Sequence, residues 1–305
     1  MVPGVPAEAA DAGRPAQHPR PPTPRDASTT ILLRDAPGGI EAYLLVRSTH
    51  LAAFAGLTVF PGGSVDAGDY VREGSWRGPD PAGWPLGAAA DLSRALVTAA
   101  VRETFEEIGV LLAEPADGQS FPGAADLAHD RAALEAGEAT LPALLDSRGL
   151  VLRTDLVRPW THWITPEAEK RRFDTRFFVA GLPAGQQVQQ PSGEATRGLW
   201  LRPAEALATV ERGELGMLPP TASTLLSLTE FGTLADVFAA AETRTIRPIQ
   251  PVYQRGEGGP QLTLPSDALE LLPAGVTPEF VSGLLAGIAR HGRLPATQPE
   301  KGSTT

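Results

Sequence analysis

Three glutamates, Glu103, Glu106 and Glu107, stand within five positions of the otherwise apolar stretch "VRETFEEIGV", Val101 to Val110. At about 100° per residue a helix sets them on one stripe roughly 100° wide. Val101, Phe105 and Ile108 fall on the opposite side, so such a helix can dock by its apolar back and present carboxylates in front. Like charges at i, i+3 and i+4 repel by roughly a few tenths of a kcal/mol per pair in water, and by more when partly buried. A cation should offset this. Carboxylate oxygens suit hard divalent ions, and Mg²⁺ in particular is held by a few acids together with a substrate's phosphates. For this helix taken alone, a solvated charged face is the alternative reading.

The elements that must position these acids are legible on both sides. Asp91 is the predicted N-cap of a helix over 92–108, and Gly109 its C-terminal stop. Upstream, "TTILLRD" and "EAYLLVRS" read as strands joined by a tight connection at "APGG", and "LTVFPGGSVDAGD" reads as a strand end running into a glycine-rich loop. Between that loop and the helix, "YVREGSWRGPDPAGWPLGAA" has Gly and Pro throughout and is expected to lie outside the core. Residues 124–149 alternate helical and loop-like character; "LVRPWTHWITP", "RFDTRFFVAGL" and "TRGLWLRP" read as strands, and "PAEALATVERG" as an amphipathic helix. "PTASTLLSLTEFGTLADVFAAAETR" reads as one long helix. Trp160, Trp163 and Trp200 are assigned to core or sheet packing. The expected organisation is a disordered tail over 1–27, one domain over 28–290 with an insert at about 70–90 and a C-terminal helical extension, and a flexible tail over 291–305.

Composition narrows the chemistry. The 305 residues are 42% hydrophobic and 20% charged, as in a globular protein able to bury a sizeable core. No cysteine is present, which excludes disulfides, thiolate metal sites and cysteine nucleophiles. The formal net charge of -10 argues against a broad grip on nucleic-acid phosphates, while small anionic ligands remain accessible through a metal. No stretch approaches the ~18 apolar residues of a membrane helix, and no apolar leader opens the chain, so a cytoplasmic protein without membrane partners is expected. The five histidines show no ligand spacing such as i, i+4 and are read as structural or exposed. No nucleophile elbow supports acyl-transfer hydrolysis.

With "FPGGSVDAGD" ahead of it, the glutamate helix resembles the signature of the Nudix hydrolases: Gly, five residues, an acid, a spacer, then R-E-U-x-E-E-x-G-U. Gly63, Asp69, Arg102, Glu103, Phe105, Glu106, Glu107, Gly109 and Val110 occupy those positions. Two departures stand out. The acid after the glycines is Asp69 where the family has Glu, and 32 residues, 70 to 101, lie where the signature places seven, an excess of 25. This interruption, together with "RSTHLAAFAGLTVFPGGSVDAGD", "WITPEAEKRRFDTRFFVA" and "MLPPT", resembles the long-insert group that includes peroxisomal coenzyme A diphosphatases, over roughly residues 29–250.

The resemblance implies an α/β fold, the Nudix α/β/α sandwich around a mixed β-sheet. It implies Mg²⁺- or Mn²⁺-dependent hydrolysis of a diphosphate in a nucleotide-like small molecule, with coenzyme A or acyl-coenzyme A first. ADP-ribose, NADH, dinucleoside polyphosphates and a non-hydrolytic nucleotide sensor are the alternatives. Glu103, Glu106 and Glu107 are implied as metal ligands, joined by Glu194 from a loop before a strand. Glu107 and Glu103 are candidates for activating water, and Arg102 belongs with them as the residue that orients Glu103 or its neighbours. Gly62 and Gly63 would let the backbone approach metal and phosphate. Arg47, and at most one of Arg171, Arg172 and Arg176, would meet the substrate, with Arg172 and Arg176 the candidates. The second arginine of the coenzyme A pattern stands here as Ala52. The insert could shape the pocket, cover it or form the contact of a homodimer. The final "KGSTT" lacks a peroxisomal signal, which keeps the expected location cytoplasmic.

Overall fold

Alternate residues of β1 (Arg25–Ala36) face two different layers: Ile31 and Leu33 turn to one, and Leu32, with Ser28 and Thr30, to the other. The computed structural model describes residues 21–48, 56–71, 76–123, 125–191, 195–256, 259–277, 280–281 and 283–284. A hairpin turn leads to β2 (Gly39–Arg47), and β3 (Leu57–Val59) and β4 (Gly62–Ser64) follow. Next come β5 (Trp76–Arg77), the long helix α1 (Ala90–Ile108), β6 (Ala113–Pro115), α2 (Ala128–Glu135), α3 (Leu141–Arg148) and β7 (Leu150–Arg153). The second half holds β8 (Val157–Ile164), β9 (Phe173–Gly181), β10 (Ala195–Leu201), α4 (Pro203–Glu211) and β11 (Gly216–Met217). It continues through α5 (Pro219–Leu228), α6 (Leu234–Thr243), β12 (Pro248–Ile249) and the hairpin of β13 (Val252–Gly256) and β14 (Gly259–Thr263).

The main sheet runs β11-β3-β2-β1-β9-β8-β12, with β10 paired to β2 and β4 to β1. It is mixed: β1 lies parallel to β9, whereas β1/β2 and β8/β9 are antiparallel. On one face α1, α2, α3 and the small sheet β5-β7-β6 close a core around Leu32, Leu45, Leu96, Phe105 and Phe178. On the other face residues from α4, α5 and α6 pack on Ile31, Leu33, Leu44, Trp160 and Val179. This is the α/β/α sandwich around a mixed sheet that the resemblance implied. Trp160 and Trp163 lie in its core, and Trp200 stacks edge-on against Tyr43 at 5.1 Å. Among the described residues no helix is long and apolar enough to cross a membrane.

Four boundaries differ from expectation. β1 begins at Arg25, inside the segment 1–27 expected to be disordered, because Arg25 N–H donates to Arg172 O at 2.9 Å and the strand's first residues pair with β9 and β4. α1 starts at Ala90 with Ala89 as its N-cap; Asp91 lies in the first turn, where its charge meets the positive end of the helix dipole. The expected single helix over 220–244 is split into α5 and α6, for Thr233 and Asp236 form a capping box that starts a new helix just after Gly232. The insert also departs from the expectation that it lies outside the core. Its second half is built into the α1 layer: β5 pairs with β7, Trp84 packs on Phe178, and Leu86 is 1% exposed. Arg94 of α1 grips Asp80 through two hydrogen bonds of 3.1 and 2.8 Å. A few anchoring side chains in an aperiodic Gly/Pro-rich segment leave no pattern for sequence periodicity to detect.

Candidate active site

Helix α1 is located along β1 by two buried hydroxyls. Ser28 Oγ donates to Leu96 O at 2.6 Å and Thr30 Oγ1 to Ala100 O at 3.0 Å, one helical turn apart. Val101, Phe105 and Ile108 are at most 1% exposed, so the apolar back of the helix is fully docked. The helix ends at Gly109, whose φ of 69° is left-handed and whose N–H returns to Phe105 O at 2.9 Å.

The glycine loop lies against the opposite, acidic side. Gly62 and Gly63 pair with Thr29 and Ser28 in β1, and Gly62 N–H donates to Glu107 Oε2 at 3.1 Å. A Cβ on Gly63 would sit 2.2 Å from Glu103 Oε1, and one on Gly62 would sit 2.4 Å from Ser28 O. Gly62 is therefore demanded by the β1 backbone, whereas a side chain at Gly63 would displace the end of Glu103. Gly63 makes room for the Glu103 carboxylate itself.

Arg102 ties the acids to the loop. Its Nε and one terminal nitrogen grip Asp69 at 2.8 and 3.0 Å, and that second nitrogen also reaches Ser64 O at 2.9 Å. Its other terminal nitrogen donates to Glu103 Oε1 at 2.9 Å and Glu106 Oε2 at 3.1 Å. Asp69 is completely buried, and it also accepts from Asp66 N–H at 2.8 Å, which closes a one-turn 3₁₀ helix over Ala67–Asp69. The shorter acid thus reaches the arginine although 33 positions separate them, and the insert opens between the two without parting them. With its donors committed in this way, Arg102 holds Asp69, Glu103 and Glu106 in place, the orienting part expected of it.

The electrostatics reflect crowding in a dry place. Burial pushes Glu106 up to about 7; Arg102 counteracts this and the Glu103 charge adds to it. Burial pushes Glu107 up to about 8, with Glu103 adding to the effect and the Gly62 N–H and Arg47 opposing it. Glu103 is likewise raised by burial, against the pull of Arg102. Burial alone would weaken the hold of Arg102 on its proton, but Asp69, Glu103 and Glu106 reverse this and strengthen it. Desolvated, mutually repelling carboxylates are the hard-oxygen donor set that a divalent cation satisfies. Among the described residues no three acids or histidines converge as a ready-made cage, since Glu103 and Glu106 turn to Arg102 and Glu107 turns to Gly62.

The remaining expected site residues separate. Arg47, at the end of β2, is close enough for its charge to act on Glu107. Arg172 and Arg176 do not join the acids. Arg172 donates to Thr165 O and Pro22 O and so fastens the β8–β9 connection to the chain ahead of β1. Arg176 is 4% exposed and binds Leu86 O, Asp26 and Asp174, with His162 on the same oxygen of Asp174. It anchors the insert to the sheet, so neither arginine presents an open fork to a phosphate. Arg171 is exposed. Glu194 and Ala52 lie outside the described residues, as do His18, His50 and His291. Ser28 and Thr30 were not singled out by sequence reasoning, although hydroxyls at alternate positions of an apolar strand signal a face that meets backbone. The residues of α2 and the β9–β10 connection that close on the end of α1 carry no local signal at all.

This arrangement has relatives. The family model of the NUDT19 Nudix domain matches residues 87–228, beginning three positions before α1. A NUDIX hydrolase from Alicyclobacillus acidocaldarius has a solved structure that is 31% identical, with a TM-score of 0.61, covering 74% of this chain and 99% of its own. The chain belongs to the Nudix hydrolase family. Among curated relatives of this hydrolase, the acyl-coenzyme A diphosphatase NUDT19 of Gallus gallus is 28% identical over 299 residues, covering 80% of this chain and 79% of the relative. That of Homo sapiens is 28% identical over 279 residues, covering 76% and 73%. The likeness to the Alicyclobacillus protein extends over nearly the whole of that protein.

Proposed function

We propose that this Nudix hydrolase cleaves the diphosphate bond of coenzyme A or an acyl-coenzyme A, releasing 3′,5′-ADP and a 4′-phosphopantetheine species. One observation carries the reading: three desolvated glutamates lie together on α1, Glu103 and Glu107 against the Gly62–Gly63 loop and the Arg47 charge acting on Glu107, in a chain similar over most of its length to proteins named acyl-coenzyme A diphosphatases. Glu103, Glu106 and Glu107 would hold Mg²⁺ or Mn²⁺, which when bound supplies charge stabilisation to the diphosphate and acidifies the attacking water. Arg102 keeps Glu103 and Glu106 in place through the transfer, and Gly62 N–H fixes one oxygen of Glu107 so that the other is available to take a proton.

The test is product analysis by mass spectrometry on coenzyme A, acetyl-coenzyme A, ADP-ribose, NADH and diadenosine polyphosphates, with and without Mg²⁺ or Mn²⁺. Metal-dependent release of 3′,5′-ADP, led by the coenzyme A compounds, is the expected result. A different leading substrate would overturn the substrate class while leaving the site in place. Tight binding of one compound without cleavage would favour the nucleotide sensor.

A further inference from the structure

The last turn of α1 carries Glu106 and Glu107, and no basic residue of the helix itself lies there. Two carboxylates at the negative end of a helix dipole, with the terminal carbonyls of that turn still to be satisfied, make this the least favourable part of the helix. The structure meets the need from outside. Arg131 of α2, its side chain 11% exposed, donates through Nε to Glu106 O at 2.9 Å. One of its terminal nitrogens donates to Gln189 Oε1 at 3.1 Å and the other to Gln190 O at 3.3 Å, and Glu135 pairs with Nε at 3.1 Å. Gln189, in the connection between β9 and β10, donates its own N–H to Ile108 O at 2.9 Å. Its side chain lies so close over Gly109 that a Cβ there would come within 2.4 Å of Gln189 Cδ. Gln186 completes the seam, taking Leu111 N–H at 2.9 Å and giving its amide to Leu111 O at 2.7 Å.

We propose that Arg131 and Gln189 are positioning residues for the reaction: together they clamp the last turn of α1 and set where the carboxylates of Glu106 and Glu107 stand for a divalent ion. The proposal rests on the metal-binding reading of those glutamates. Groups that orient metal-binding carboxylates from behind are costly to remove, typically about 10–100-fold in metal affinity or activity. Arg131 acts through the Glu106 backbone and at the helix end, so its loss should loosen the turn and lower metal affinity without dissolving the core. The Gln189 side chain acts through Arg131 and Gly109 O, while its backbone N–H to Ile108 O survives substitution, so its loss should have the same direction and a smaller size.

The experiment compares wild type, Arg131→Gln, Arg131→Lys and Gln189→Ala by Mn²⁺ titration with electron paramagnetic resonance, by hydrogen exchange of individual α1 amides without metal, and by kcat and KM. Arg131→Gln should raise the Mn²⁺ dissociation constant about tenfold. It should speed exchange at residues 107–110 by about the same factor while leaving residues 96–101 unchanged. Arg131→Lys, which keeps the charge and one donor, should recover part of both effects, and the loss should appear in kcat more than in KM. An Arg131→Gln protein that folds with unaltered exchange at 107–110 would overturn the clamp, whatever its activity. So would a uniform rise in exchange along α1, which marks a general structural role. Wild type that binds no Mn²⁺ would overturn the metal reading and with it the positioning role, and the exchange data would show separately whether the turn is clamped.

Discussion

Strand β1 turns Ser28 and Thr30 to one side and Ile31 and Leu33 to the other, and the layers those residues meet share apolar burial but differ in what this strand adds to it. Beneath α4, α5 and α6 the sheet offers aliphatic and aromatic side chains, among them Leu44, Phe177 and Val179, which any well-filled neighbour can cover. Beneath α1 the sheet offers apolar side chains too, among them Leu32, Leu45 and Phe178, and adds hydroxyls to the helix backbone, while Arg176 and His162 sit buried where the insert crosses it. Apolar burial is strong but non-directional, whereas a hydrogen bond fixes position along a strand. Cohesion is common to both layers, and the α1 layer adds placement, which a set of metal-binding carboxylates would require.

The largest expected effects lie where placement meets charge. Glu106→Gln and Glu107→Gln should each lower turnover by about 10²–10⁴-fold, as loss of a group handling metal or proton does. In the metal-free protein the same changes should leave the melting temperature unchanged or raise it, since a buried, repelled carboxylate becomes a neutral amide. Calorimetry alongside kinetics checks both, and a variant with wild-type turnover would remove that glutamate from the site. Arg102→Ala should cost about 3–5 kcal/mol, because Asp69 is then completely buried with no cationic partner. Denaturant unfolding measures it, and a loss below about 1 kcal/mol would mean that Asp69 is not the charge Arg102 neutralises.

The opposite layer supplies the control. Leu225 of α5 is fully buried, and Leu225→Ala should cost about 2–5 kcal/mol in stability while leaving Mn²⁺ affinity and kcat untouched in the folded fraction. Loss of metal affinity there would erase the distinction between the two faces.

A pH series sharpens it further. Glu103, Glu106 and Glu107 are raised in the folded protein, to about 7 for Glu106 and about 8 for Glu107, so the folded state keeps protons that the unfolded chain releases above about 4.3. Their contribution to stability is complete below that value and is lost as pH rises through 7 and 8, by up to about 1.4 kcal/mol per pH unit for each group. Metal-free protein in EDTA should therefore melt lower at pH 8.5 than at pH 6. Mn²⁺, which takes the place of the protons, should reverse the trend, and Glu106→Gln should flatten it. An EDTA series that is flat with pH would show that the acids are not desolvated.

Legibility in the sequence follows the same division. The acidic stripe, the apolar back and Gly109 were readable from α1 alone, because helical periodicity and a terminal glycine are local signals. The split between α5 and α6 was also written locally, in the Thr233–Asp236 capping box, but the continuous apolar pattern outweighed it. Asp69 was recognised as the acid of the signature, while its service to Arg102 across the insert depends on a loop closure that spacing cannot reveal. Arg172 and Arg176 were misdirected by type: arginines near a nucleotide motif suggest phosphates, yet burial and carbonyl partners give them to the scaffold. Arg131 and Gln189 lie 25 and 83 positions beyond Glu106, and nothing local distinguishes them from surface residues.

The smallest predicted effect is the most specific. Ser28→Ala removes the bond to Leu96 O but keeps the strand and its pairing with Gly63, so the expected loss of stability is about 1 kcal/mol. The helix then has one fewer fixed point along β1, with Thr30 the next one towards Glu103, and a small slide of α1 changes how Glu103 fits the space left by Gly63. Mn²⁺ affinity should fall by a few fold, more than the stability loss alone explains. On the other face of the same strand, Ile31→Val should cost a similar ~0.5–1.5 kcal/mol with no change in affinity. Equal stability losses with unequal metal affinities would establish that the hydroxyl contributes placement. Equal affinities would reduce the difference between the two faces to one of composition, with α1 held by burial as the other helices are.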